Sequence, residues 1–247
     1  MARLLATVAL CAVAALLLAT PAAAQQVTLD LGGDGALATR SIQLIALITV
    51  LSLAPGIAIT VTCFPFIVTV LAILRQAIGL QQSPPNMLMV SLALFLTYFV
   101  MEPVFTAAYT DGIAPLMEGS VQIEEGFNLT IAPFRTFMIA RVDPDTLSDL
   151  ASLRPGLDPQ VTAEDAPLSV IVPSFLLSEI ARAFQVGFLI FLPFLIIDLI
   201  VAAVLMSMGM MMVPPAIVSL PFKLAFFVVA DGWSLVAASL VRGYTGG

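Results

Sequence analysis

Two long stretches without a charged side chain dominate the first half of the chain, Ser41 to Leu74 and Gln76 to Met101. A membrane-crossing helix needs about 20 apolar residues. The first stretch exceeds one straight span, and Pro55-Gly56 and Pro65 are where a kink or interruption is expected. Near the start of the second stretch, Gly79-Leu80-Gln81-Gln82-Ser83-Pro84-Pro85-Asn86 reads as a helix stop followed by a turn. Residues 41–110 thus make a first helical hairpin with its turn near 79–86. The last third carries two more apolar segments, Val170 to Met206 and Ala216 to Leu240. They make a second hairpin over 166–242, turning near 206–215. Residues 111–165 break the pattern with scattered acids and Pro115, Pro133, Pro144, Pro155 and Pro159. Short helices are expected there over Phe134 to Ala140 and Thr146 to Leu153. The fold class is an all-α membrane protein of kinked helical hairpins, about four apolar spans, with a loop-rich periplasmic excursion.

Composition agrees with the pattern. Hydrophobic residues make up 60% of the chain and charged ones 10%, with a mean hydropathy of +1.09; soluble domains run near 25% charged. The formal charge of -7 comes from the excursion, where ten of the sixteen acids lie between Asp111 and Asp165, opposed by Arg135, Arg141 and Arg154. An acidic balance excludes a nucleic-acid partner, which needs a basic face. At the N-terminus, Arg3, the apolar Leu4 to Leu18 and Ala22-Ala23-Ala24 read as a cleaved secretory signal peptide over 1–24, followed by a polar segment over 25–40. Cleavage removes Cys11 and leaves Cys63, so no intrachain disulfide is expected. Arg75 borders the first turn and places it in the cytoplasm by the positive-inside rule. Alternation then puts 111–165 on the periplasmic side.

Candidate chemistry concentrates in the last third. Glu179, Arg182, Gln185, Asp198, Lys223 and Asp231 interrupt segments apolar enough for lipid, and ionisable groups in hydrocarbon mark function by default. Glu179 and Arg182 stand three apart and can pair on one helix face. Ala183 and Gly187 have small-xxx-small spacing for close helix approach; Phe184 and Phe188 form a second stripe. These stripes suit either an assembly interface or a tie between helices of one chain. A hairpin centred between Met210 and Met211 puts Asp198 and Lys223 at matching depth, so the two are expected to pair. Met208, Met210, Met211 and Met212 surround Gly209 ahead of Pro214-Pro215. Methionine is flexible and polarizable. Such a cluster fits gap-filling or lipid contact, but beside these turn residues it reads as a loop. Several copies in a ring would make a deformable apolar constriction.

Enzyme readings lack residues. The chain has no histidine, hence no imidazole base or His-ligated metal, and no phosphate-binding G-x-x-x-x-G-K-[ST] loop. Asp143-Pro144-Asp145 is a calcium-like pair without the rest of a loop. No catalytic residue, metal or cofactor is expected.

The chain resembles the FliP family, the flagellar type III protein-export gate component, called SctR in injectisomes. The resemblance rests on the stretches Pro173 to Ile180, Ala183 to Phe188, Leu192 to Asp198 and Val204 to Met212. Pro214-Pro215, Ser219 to Leu224 and Asp231-Gly232-Trp233 complete it. Gly79 to Gln82, Pro84-Pro85-Asn86 and Leu92 to Thr97 extend it, whereas 104–165 match poorly. The resemblance implies a homopentamer joined to FliQ and FliR, beside other export-apparatus membrane proteins, in the inner-membrane flagellar basal body. Unfolded flagellar proteins pass through that assembly. It also implies a methionine gasket at Met208 and Met210 to Met212, and protein rather than lipid around the buried charges. The alternatives are an injectisome export-gate subunit or a small-solute or ion transporter.

Overall fold

The computed structural model describes residues 34–80, 83–210 and 212–245. The expected signal peptide, Gln81-Gln82 and Met211 lie outside the described residues. The backbone divides into two units, residues 1–51 and 52–247. The described part of the first is the opening of helix α1 (Asp34–Thr60), in which Thr49 Oγ1 donates to the Ile45 carbonyl.

In the second unit, α1 ends and a turn at Val61-Thr62-Cys63 leads into α2 (Phe64–Ile78). The long uncharged stretch is therefore broken at Pro65, which occupies the first turn of α2, where a missing N–H does no harm. Pro55-Gly56 does not interrupt α1, because the helix continues through both residues to Thr60. Gly79 stops α2 at φ 90°, and α3 (Asn86–Ala107) follows the turn. Arg75 donates to the Pro84 carbonyl at 3.4 Å and to Asn86 Oδ1, tying the turn to the helix that precedes it.

The acidic stretch is more helical than its prolines imply. A π-helical turn (Ala108–Ile113) and the short α4 (Ala114–Met117) continue from α3, and α5 spans Ile123–Ile139. The expected helix at Phe134 is only the end of α5, which runs straight through Pro133. The π turn presses on α5 so closely that a Cβ at Gly112 would collide with Thr130. Helix α6 (Pro144–Ser152) begins at Asp143, whose side chain accepts from the Thr146 backbone N–H at 3.1 Å. The calcium-like Asp143 is thus a helix cap. A small core of Met138, Leu147, Ala151, Val170, Ile171 and Phe175 packs α5 and α6 on the start of α7.

Helix α7 (Leu168–Ser207) has 40 residues. At 1.5 Å per residue it is about 60 Å long, twice the hydrocarbon thickness of a bilayer. Its first turns belong to the core just described; farther along it joins the main core, Ile67, Leu71 and Leu74 of α2, Ala93 and Met101 of α3, and Ala183 and Phe194 of its own. Helices α8 (Pro215–Val229) and α9 (Gly232–Thr245) meet at a 61° bend, where Asp231 adopts φ 47° and its Oδ1 accepts from Ser234 Oγ. The apolar segment expected over Ala216 to Leu240 is therefore two helices. Among the described residues, three helical stretches, Ser41–Thr60, Asn86–Met117 and α7, are long and apolar enough to cross a membrane, and α8 with α9 makes a fourth if the bent pair is one span. No strand occurs among the described residues.

Candidate functional site

Helix α7 ends in a Schellman motif. Gly209 sits at φ 76°, its N–H donates to the Met206 carbonyl, and the Met210 N–H reaches back to the Leu205 carbonyl, each at 3.0 Å. Pro214 and Pro215 then set the first turn of α8. Between these fixed points, Met208, Met210 and Met212 project from the tip, Met212 with 97% of its surface exposed. Leu205, Met208 and Met210 also line an open apolar groove of about 520 Å³ between α7 and α8. Met208, Met210 and Met212 lie outside helices α7 and α8, in agreement with the turn chemistry around them.

The hairpin is locked below its tip. Lys223 Nζ lies 2.6 Å from Asp198 Oδ2, the contact expected from their equal distance to the turn. Ser219 Oγ donates to Asp198 Oδ1 at 2.6 Å, and Lys223 Nζ also donates to the Ala77 carbonyl at 3.1 Å. Ala77 is in the last turn of α2, where carbonyls lack helical partners and the helix dipole favours a cation. One ammonium, only 6% exposed, therefore joins α7, α8 and the C-terminal end of α2. Neither Ser219 nor Ala77 carried a signal in the sequence beyond an ordinary polar and an ordinary small residue.

Glu179 is the most deeply buried charge among the described residues, with 0% exposure. The expected pairing with Arg182 is present as a long ion pair, Arg182 Nη1 lying 4.0 Å from Glu179 Oε1 with its side chain 45% exposed. The principal partner is Arg141, whose Nε donates to Glu179 Oε1 at 3.1 Å, and Tyr244 Oη donates to Oε2. Arg141 also donates to the Gly243 carbonyl at 3.3 Å and lies 3.7 Å over the Tyr244 ring. A carboxylate removed from water requires several donors, and one exposed arginine on the same helix face supplies too little. The cluster joins the loop after α5, the middle of α7 and the end of α9. Tyr244 stacks on Phe137, which packs on Phe175, and the Asp143 N–H donates to the Oγ of Ser178, the residue before Glu179. Sequence spacing missed Arg141 and Tyr244 because both are distant in the chain.

Ala183 and Gly187 face inward. A Cβ at Gly187 would collide with Ile73 Cδ1 of α2, so this stripe serves packing within the chain, one of its two expected uses. Phe184 and Phe188 stand exposed on α7. Gln185 is also exposed, and Asp231 sits at the α8–α9 bend with Ser234. Of the polar residues expected within the apolar segments, Glu179 lies in one knot and Asp198 and Lys223 in the other, Arg182 reaches Glu179 from an exposed side chain, and Gln185 and Asp231 stand outside both.

A sequence profile described as the FliP family matches residues 47–240. The flagellar biosynthetic protein FliP of Caulobacter vibrioides is 51% identical over 239 residues, 96% of this chain and 90% of the relative. The protein of the same name from Rhizobium meliloti is 49% identical over 212 residues, 85% of this chain and 86% of its own length. That of Bacillus subtilis is 43% identical over 206 residues, 83% of this chain and 93% of its own length. The chain belongs to the FliP family.

Proposed function

We propose that this protein is the pore-forming subunit of the flagellar type III export gate, passing unfolded flagellar proteins across the bacterial inner membrane during flagellum assembly. Its relatives are named flagellar biosynthetic proteins, which favours the flagellar system over an injectisome. Five copies of the chain join FliQ and FliR and other membrane proteins of the export apparatus at the flagellar basal body. Residues 1–24 are removed as a signal peptide, and residues 111–165 lie on the periplasmic side.

The observation that carries the reading is the methionine tip. Met208, Met210 and Met212 are presented at the end of a hairpin whose base is held by the Asp198–Lys223 ion pair. A rigid base with flexible apolar side chains at its tip suits a seal. Copies of such a tip around an axis exclude ions by dewetting and yield to a polypeptide. The buried knots at Glu179 and Asp198 keep each copy rigid while the tips deform.

Alanine replacement of Met208, Met210, Met211 and Met212 tests this. The expected result is ion leak across the membrane with export of filament subunits largely kept. No leak would favour a scaffold whose partners conduct. Loss of solute uptake with no change in protein export would favour a transporter.

A further inference from the structure

Helices α7 and α9 flank an apolar groove with a volume of about 700 Å³. Val186, Ile190 and Phe194 line it from α7, and Val236 and Leu240 from α9. Leu189 and Leu235 stand exposed at its rim, so the groove is open along its side. From Arg182 to Pro193 it follows eleven residues of α7, about 17 Å at the helical rise. At its other end the bend at Ala230 and Gly232 closes it.

The head of the groove is cationic. Arg141 and Arg182 both line it, and Glu179, the carboxylate between them, balances one of the two. The Arg141 guanidinium is occupied by Glu179, the Gly243 carbonyl and the Tyr244 ring. Arg182 reaches Glu179 at only 4.0 Å, beyond hydrogen-bond distance, with its side chain 45% exposed. One positive charge with free donor capacity therefore stands where a long apolar channel begins. An ionisable group at such a place among membrane-class helices calls for a companion.

We propose that this groove binds an anionic phospholipid, with one acyl chain along α7 and α9 and the phosphate on Arg182. Charge selects this occupant, because one unbalanced guanidinium at the head of an apolar channel matches a phosphate followed by an acyl chain. Charge separates it from a neutral lipid. A basic pocket between membrane helices is a recognised form of headgroup site.

The test uses the full-length protein, alone and assembled with the other membrane subunits of the export apparatus, in vesicles of phosphatidylglycerol or phosphatidylcholine. Each lipid carries a photoactivatable diazirine in one acyl chain, and adducts are mapped by mass spectrometry. Adducts are expected near Val186 to Ile190 and Leu235 to Leu240, above the level on Phe95 and Phe99 of α3. Labelling should fall about fivefold with the phosphatidylcholine probe and in Arg182→Gln, while Arg182→Lys keeps the preference. Val236→Trp, which fills the channel and leaves the charge, should remove the adducts. Unchanged thermal unfolding midpoints establish that the variants remain folded. Equal labelling by both headgroups, or adducts spread evenly over α3, overturns the proposal. So does displacement of the probe by inorganic phosphate alone, or a neighbouring protein segment crosslinked in the groove of the assembled particle.

Discussion

Arg141 Nε donates to Glu179 Oε1 at 3.1 Å, linking the turn between α5 and α6, within the acidic segment, to the buried carboxylate of α7. The acidic segment is therefore tied to the hairpin that carries the methionine tip, and its arginine completes the deepest carboxylate among the described residues.

Removing Arg141 leaves Glu179 buried with Tyr244 and a distant Arg182. Arg141→Ala is expected to destabilise the protein by about 3–5 kcal/mol, the range for breaking a buried pair. Glu179→Gln in the Arg141→Ala background should recover part of the loss, since a neutral amide is cheaper to bury. Thermal unfolding of the purified protein in mild detergent measures both. Equal stability of Arg141→Ala and the parent would show that the pair contributes nothing.

The second knot behaves the same way but spans different helices. Lys223→Met leaves Asp198 with only Ser219, and the Ala77 carbonyl loses its donor. Yield of assembled complex should drop, and adding Asp198→Asn should restore part of it. Complex recovered by size-exclusion chromatography reads the outcome; absence of any recovery in the double variant counts against the pair.

Gly187 reports on packing between α2 and α7. Gly187→Ala inserts a methyl group against Ile73, a cost of about 1–3 kcal/mol for overpacking. Ile73→Val in the same chain should relieve part of it, because the Cδ1 at 2.4 Å is gone while Cγ2 at 3.0 Å stays. A double-mutant cycle on unfolding midpoints decides; additive effects of the two changes would mean the collision is relaxed elsewhere.

Gly209 isolates backbone conformation from space. No heavy atom lies within 4 Å of a Cβ built there, while φ is 76°. Gly209→Ala should therefore lose only about 1 kcal/mol, the left-handed penalty for a residue with a Cβ, and Gly209→Asn less. Alanine should loosen the methionine tip with little change in global stability, seen as faster hydrogen exchange at Met210. Unchanged exchange there would mean that the motif does not order the tip.

Much of this was legible in the order of residues alone. Charge-free runs of membrane length, the Gly79 stop, the Gly209 and Pro214-Pro215 turn chemistry and the symmetry of Asp198 and Lys223 about that turn are local or nearly local facts. Helical and turn preferences act over a few residues, and a hairpin converts position along the chain directly into depth. The sequence likewise contained the two proline sites, but only packing decided that α1 passes Pro55 and breaks before Pro65. Tertiary structure alone decided the partners of Glu179, because Arg141 and Tyr244 reach it from other elements of the fold. It alone turned the small-residue stripe toward Ile73, and it left Arg182 at the head of a groove. Pattern fixes which residues must be buried, but a buried carboxylate accepts from whatever donor the folded chain brings near, and no periodicity encodes that.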